Sequence, residues 1–418
     1  MGLKMNLPTI ALFLLLAAAS AAGANINIRK YGAQVNSDIT PALTKAWKDA
    51  CQTPGTNTVV IPKGTYRLGA VQFMGPCKGH IELQVRGILL APGDRGYFKS
   101  GSWVNFQRID GFTLSGGGTF DAKGKHVWGK RSCSGIRYCG DLPISLRFDF
   151  ITNGLIKDIT SLDSKQFHIN LLGCKNVTFQ HVNVIAPDHS PNTDGIHIGR
   201  STGIKIIDTK IATGDDCISL GDGSENILIK GVTCGPGHGI SVGSLGKYKN
   251  EAPVVGVNVV NCTFINTQNG VRIKTWPNSF AGTASDMRFE NLLMKNVSTS
   301  MLIDQLYCPW NQCKAQIPSK VKISNISFKN IRGTASTKDV VKLLCSKSFP
   351  CQDVKVTDID IRYSGRDGPA TFQCVNIKPT TSGRLSRNIR STKANPESQS
   401  SGSRWNDGPL LQTLLEDC

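Results

Sequence analysis

From about residue 150 to residue 375 apolar side chains recur at every second position in short bursts, and each burst closes on a polar or small residue. Such alternation predicts strands with one buried face. Eight bursts share one template: apolar, any, apolar, any, polar or small, apolar. They start at Leu155, Val177, Ile204, Ile227, Val257, Met287, Val321 and Val354, at separations of 22, 27, 23, 30, 30, 34 and 33 residues. Repeats of that length mark stacked solenoid coils. A flat sandwich of antiparallel hairpins would not impose a common template at coil-length spacing. The expected fold is all-β, a right-handed parallel β-helix in which residues one coil apart lie about 4.8 Å above one another. Residues Asp38 to Ala50 depart from the alternation, because Leu43, Ala46, Trp47 and Ala50 share a helical face and Asp38 can cap the start. This short N-terminal helix is expected to cap the open end of the solenoid core.

Four polar clusters interrupt the alternation in the middle of the chain: Asn192-Thr193-Asp194, Gly214-Asp215-Asp216-Cys217, Gly237-His238-Gly239 and Arg272-Ile273-Lys274. Asp194, Asp216 and His238 are each 22 residues apart, which predicts a single column across three coils. Arg272 and Lys274, two apart on a strand, point to one face and are expected to extend that column. Adjacent Asp215 and Asp216 can share a groove only if Gly214 opens a corner or bulge.

Three carboxylates gathered in a groove suit hydrolysis of a glycosidic bond, in which one acid protonates the leaving oxygen and a carboxylate polarises water. Crowded like charges raise the pKa of one member. His238 is placed to tune the acid, and Arg272 with Lys274 suits a substrate carboxylate. Taken singly, Asp-Asp beside Gly is an ordinary turn, a lone histidine is usually structural, and Arg with Lys is usually a solvated face. The joint coil spacing carries the reading.

Composition narrows the partner. A formal net charge of +18 and a pI near 9.4 call for a polyanion. No dense basic run interleaved with aromatics points to nucleic acid, so an acidic polysaccharide is expected. Lys4, the apolar run Ile10 to Ala19 and the small residues that follow read as a signal peptide over residues 1–24, too short to span a bilayer. The mature protein is expected to be soluble, secreted and monomeric, without a membrane segment. Residues 25–376 form the catalytic domain, and 377–418 read as a polar, disordered tail. Fourteen cysteines fit an oxidising compartment. Close pairs are Cys133 with Cys139, Cys308 with Cys313 and Cys345 with Cys351, and a Cys217–Cys234 bridge could tie two coils. Cys262 falls on an inward position that suits a free thiol equally well. Sequons stand at Asn176, Asn261, Asn296 and Asn325, with Asn261 and Asn325 at expected coil corners.

The stretches Ser190 to Gly195, Thr213 to Ser219, Cys234 to Ser241 and Arg272 to Lys274 resemble the four signatures of polygalacturonases, glycoside hydrolase family 28. Gly195-Ile196-His197-Ile198-Gly199 and Ser244-Leu245-Gly246-Lys247-Tyr248 are most similar to the plant, pollen-type exopolygalacturonases. The likeness runs from Tyr31 to about Cys374. It implies an inverting, pectin-degrading enzyme of the cell wall, needing no metal or other cofactor, that releases galacturonate from the chain end. Asp215 would be the general acid, Asp194 and Asp216 would hold and activate water, and His238 would support the acid. Arg272, Lys274, Tyr307 and Asn192 would bind substrate, and Cys217 would pair with Cys234. Rival readings are an endo-acting polygalacturonase, a calcium-dependent pectate lyase with the aspartates as ligands, and a non-catalytic wall-binding β-helix.

Overall fold

The computed structural model describes residues 23–94, 98, 101–128, 142–309, 313–385 and 389–393. Most of the expected export signal, the Cys133–Cys139 pair and the tail from 394 onward lie outside them. Among the described residues two long sheets, of 21 and 12 strands, are built from parallel pairings. In the 12-stranded sheet each strand lies beside the next in chain order, from Val71–Met74 to Ile389–Lys393. That order makes a coil advance by one strand per turn, as expected of a right-handed parallel β-helix.

Alternation buries one face of every coil, and equivalent inward positions stack. Phe106 and Phe148 are register partners with ring centroids 5.2 Å apart, and Phe289 and Phe328 are partners at 5.1 Å. Each such ring removed from water contributes about 1.5–3 kcal/mol. The capping helix runs Thr40–Gln52, two residues downstream of the expected span. Asp38 accepts the Thr40 amide hydrogen at 2.9 Å, whereas the cap residue itself is Ile39. Trp47 closes the end of the core against Phe73, 4.6 Å between centroids, and a Cys51–Cys77 disulfide ties the helix down.

Two of the eight template positions are corrected by the register. Gly154, not Leu155, pairs with Val177, and Leu155 stands on the outward face. A glycine on the inward face is invisible to a count of apolar residues. Ile326, not Val321, pairs with Met287, and Val321 pairs with Gly282. The segment from Val321 to Ile331 carries the template twice in overlapping frames, and only coil stacking selects one.

Corners are taken largely by Asn and Asp in the left-handed region, which these two residues tolerate best after glycine. All four sequon asparagines sit there, and the amides of Asn176, Asn296 and Asn325 donate to Asn153, Asn266 and Asp286 on a neighbouring coil. Disulfides join Cys217–Cys234, Cys308–Cys313 and Cys345–Cys351, and Cys262 is a buried free thiol. The solenoid also runs past residue 376. Thr380–Leu385 pairs with Gln352–Arg362, and Ile389–Lys393 pairs with Ala370–Val375. Those strands are rich in Ser, Thr and Arg, with one apolar residue each, and backbone ladders form on the exposed edge of the last coil with little apolar alternation. No helix among the described residues is long and apolar enough to cross a membrane.

Candidate active site

Consecutive strands Ile196–Gly199, Ile218–Leu220, Ile240–Leu245 and Asn269–Thr275 of the 12-stranded sheet hold Ile196, Ile218, Ile240 and Val271 in one inward row. Two residues before that row, at the corner leading into each strand, stand Asp194, Asp216 and His238. One residue after it, His197, Ser219, Ser241 and Arg272 form a second, outward column. Arg272 therefore does not extend the aspartate column, as the sequence suggested; it ends the neighbouring one, and Lys274 stands two residues further on, opposite Gly243. The clusters still converge, because an arginine or lysine side chain spans that lateral step. A cleft of about 630 Å³ is lined by Asn192, Asp194, Asp215, Asp216, His238, Arg272, Lys274 and Tyr307, all eight residues singled out from the sequence.

Gly214 gives Asp215 and Asp216 a common outlook. The chain bends there so tightly that a β-carbon on residue 214 would lie 2.2 Å from the Ser190 carbonyl oxygen. Asp216 is the deeper of the two, with 3% of its side chain exposed against 22% for Asp215. Its Oδ1 accepts from Arg272 Nη2 at 2.7 Å and Ser241 Oγ at 2.8 Å, and its Oδ2 accepts from Lys274 Nζ at 2.7 Å. Burial alone would push this carboxyl up, but Lys274 and Arg272 outweigh burial and hold it far below the usual carboxylate range.

Like-charge crowding falls instead on Asp194. Burial, then the charges of Asp215 and Asp216, raise its carboxyl well above the usual value, and a hydrogen bond from Ser219 Oγ at 2.8 Å opposes the rise. Asp215 Oδ1 lies 2.9 Å from His238 Nδ1 and accepts the Asp216 amide hydrogen at 2.8 Å.

Ser219 and Ser241 were missed by sequence reasoning, and His197 was noticed without a role. His197 Nδ1 is 2.8 Å from Ser219 Oγ. When Asp194 is ionised the single Ser219 proton goes to it, and Nδ1 of His197 then carries the hydrogen shared with Ser219 Oγ. Burial lowers the His197 pKa to about 4, which keeps the ring neutral near pH 7. One coil on, Arg272 Nε donates to Ser241 Oγ at 2.9 Å, and Ser241 donates to Asp216. Two relays thus share the outward column, His197–Ser219–Asp194 and Arg272–Ser241–Asp216, the outer group coming from the coil before the serine in the first and from the coil after it in the second. The signal was present: residues 197, 219 and 241 repeat at the same 22-residue interval as the corner column.

Asp215, Asp216 and His238 offer ligand atoms within 4.8 Å of one another. A divalent cation there would sit beside an ammonium and a guanidinium that already occupy both oxygens of Asp216, and Ca²⁺ takes six to eight oxygen ligands. The donor set fits a hydrolytic acid cluster and does not fit calcium.

Fold and site describe a carbohydrate-active enzyme of the parallel β-helix class, and comparison with known proteins narrows the class. Residues 51–384 match the model of glycosyl hydrolases family 28. An exopolygalacturonase of Oenothera organensis is 56% identical over 348 residues, covering 83% of this chain and 96% of that one. A polygalacturonase of Gossypium hirsutum is 53% identical over 360 residues, 86% of this chain and 88% of that one. Among solved structures, an endo-xylogalacturonan hydrolase from Aspergillus tubingensis superposes with a TM-score of 0.72 at 25% identity, over 87% of this chain and all of the other. An exopolygalacturonase from Thermotoga maritima superposes with a TM-score of 0.70 at 16% identity, over 89% and 92% of the two chains, a likeness of fold. The chain belongs to glycosyl hydrolases family 28 and is a hydrolase.

Proposed function

We propose that this hydrolase is a polygalacturonase that cleaves α-1,4-galacturonosidic bonds of polygalacturonate with inversion, and that it works from the chain end to release galacturonate. The observation that carries the catalytic assignment is the graded depth of the three carboxyls. Asp215 reaches the open cleft, as an acid that must touch the leaving oxygen has to, while Asp194 and Asp216 lie buried beneath it. Asp215 gives its proton to the glycosidic oxygen as the bond breaks. Asp194 and Asp216 orient a water on the opposite face of the sugar and take up its proton, which leaves the new hydroxyl with inverted configuration. His238, bonded to Asp215, orients the acid. Arg272 and Lys274 receive a galacturonate carboxylate, with Tyr307 packed against both cations and Asn192 contributing from the adjoining corner.

End attack is supported by the relatives named exopolygalacturonases and by the segment from Ser244 to Pro253, part of which lines the cleft. The expected export signal and the disulfides support an extracellular place in the cell wall. A time course on demethylated polygalacturonate, following product sizes by mass spectrometry together with viscosity, tests the reading. Monomer from the first time point with nearly constant viscosity is the expected result. A ladder of oligomers with early loss of viscosity would make the enzyme endo-acting, and unsaturated products would make it a lyase.

A further inference from the structure

Beyond Tyr307 the cleft continues into a second group of aromatic and cationic side chains that the catalytic assignment does not use. Trp276 packs edge-on against Tyr307, 5.8 Å between centroids. The ammonium of Lys247 lies over the rings of both Trp276, at 5.4 Å, and Tyr248, at 5.2 Å. Lys247, Tyr248 and Trp276 all line the cleft.

The loop carrying Lys247 is held on both sides of that residue. Glu251 accepts the backbone hydrogens of Gly246 and of Tyr248, the latter at 2.8 Å, which ties down the two residues flanking Lys247. Gly246 has φ +86°, and a β-carbon there would lie 2.5 Å from Ser279 Cβ, so the loop is also seated against the turn that follows strand Asn269–Thr275. Among the described residues no carboxylate lies within ion-pair distance of the Lys247 ammonium. The loop thus presents a cation that makes no close ion pair among the described residues, on an aromatic bed, in the same cleft as the cations that pair with Asp216.

We propose that Lys247, with Trp276 and Tyr248, is a second carboxylate-binding station, which takes the carboxylate of a uronate unit neighbouring the unit held by Arg272 and Lys274. The aromatic rings supply apolar contact to a sugar face, and the ammonium supplies the charge that separates an acidic sugar from a neutral one. The station selects substrates with two adjacent free carboxylates. This inference rests on the galacturonan reading above.

Trigalacturonate is the probe, used in steady-state hydrolysis with wild type, Lys247→Met and Lys247→Arg, and in calorimetric titration with the same three side chains at 247 in an Asp215→Asn background that leaves the ligand intact. Methionine keeps the aliphatic length and removes the charge, and arginine restores the charge. Loss of one charge-assisted contact should raise both KM and Kd by about 10-fold or more in Lys247→Met, with a smaller effect on kcat, and Lys247→Arg should recover most of the loss. Higher salt should shrink the gap between wild type and Lys247→Met. Hydrolysis by wild type with KM and Kd unchanged in Lys247→Met would overturn the station while leaving the polygalacturonase reading intact. Binding that weakens in Lys247→Met without any hydrolysis by wild type would do the reverse. A folded protein that neither binds nor cleaves the probe would overturn both.

Discussion

Three aspartates within one cleft differ in what stands beside each, and that company bears on the roles proposed for them. Asp216 is fixed as an anion by Lys274 and Arg272, while Asp194 is pushed toward its protonated form by burial and by two neighbouring carboxylates. A base must lose its proton to work, so the acid limb of the kcat/KM profile should lie above the ordinary carboxylate value of about 4. Ser219→Ala removes a hydrogen bond that favours ionised Asp194. The limb should move further up, by roughly 0.7 of a pH unit for a bond worth about 1 kcal/mol. A limb that stays put or moves down in the measured pH–rate profile counts against Asp194 as the base. Asp215→Asn should cut hydrolysis of polygalacturonate by at least about 100-fold with the melting temperature little changed. An aryl galacturonide with a good leaving group needs little protonation and should be spared in the same variant; equal losses on the two substrates would remove Asp215 from the role of acid. The aspartates, His238 and the cation pair were legible in the sequence because each type carries its chemistry with it. Ser219 and Ser241 were not, because a serine acquires this role only from what it bonds to.

At the scale of the element, the corner at Gly214 is the most exacting part of the site. A methyl group there has no room beside the Ser190 carbonyl, so Gly214→Ala must displace the turn that aims Asp215 and Asp216. A shift of about 1 Å costs on the order of 100-fold in rate, and kcat should fall by that much while circular dichroism of the β-helix is retained. Near-normal kcat would show that the turn adjusts elsewhere. The Cys217–Cys234 bridge secures the same turn to the next corner, across a separation of 17 residues. Alternation located the strands but misplaced two of their frames, at Leu155 and Val321, because a glycine can stand inward and an overlapping repeat can satisfy the template twice. The helix boundary moved for a related reason: Asp38 bonds the Thr40 amide from just outside the helix.

For the whole molecule, stability should fall in mild acid through imidazoles shielded from water, above all the buried His168. His168 is fully buried, with Nδ1 2.9 Å from Ser161 Oγ and Nε2 without a partner among the described residues. Burial lowers its pKa to about 3, so below about 6.5 the unfolded chain binds a proton that the folded chain refuses, and stability drains away as pH falls from about 6.5 toward 3. His197, lowered to about 4, acts in the same direction. Melting wild type and His168→Asn at pH 7 and pH 4 should show the wild type losing more; parallel losses would mean that His168 does not govern the acid response. The sequence by itself determined the coil spacing, and with it the stacking of Asp194, Asp216 and His238, because a parallel β-helix turns linear period into vertical neighbourhood. Only the tertiary structure decided that Arg272 belongs to the neighbouring column, that it reaches Asp216 across 56 residues of sequence, and that Lys247 is held over Trp276. Those contacts depend on lateral register and on the paths of corners and loops, which are set by close approach between coils and leave no period in the chain.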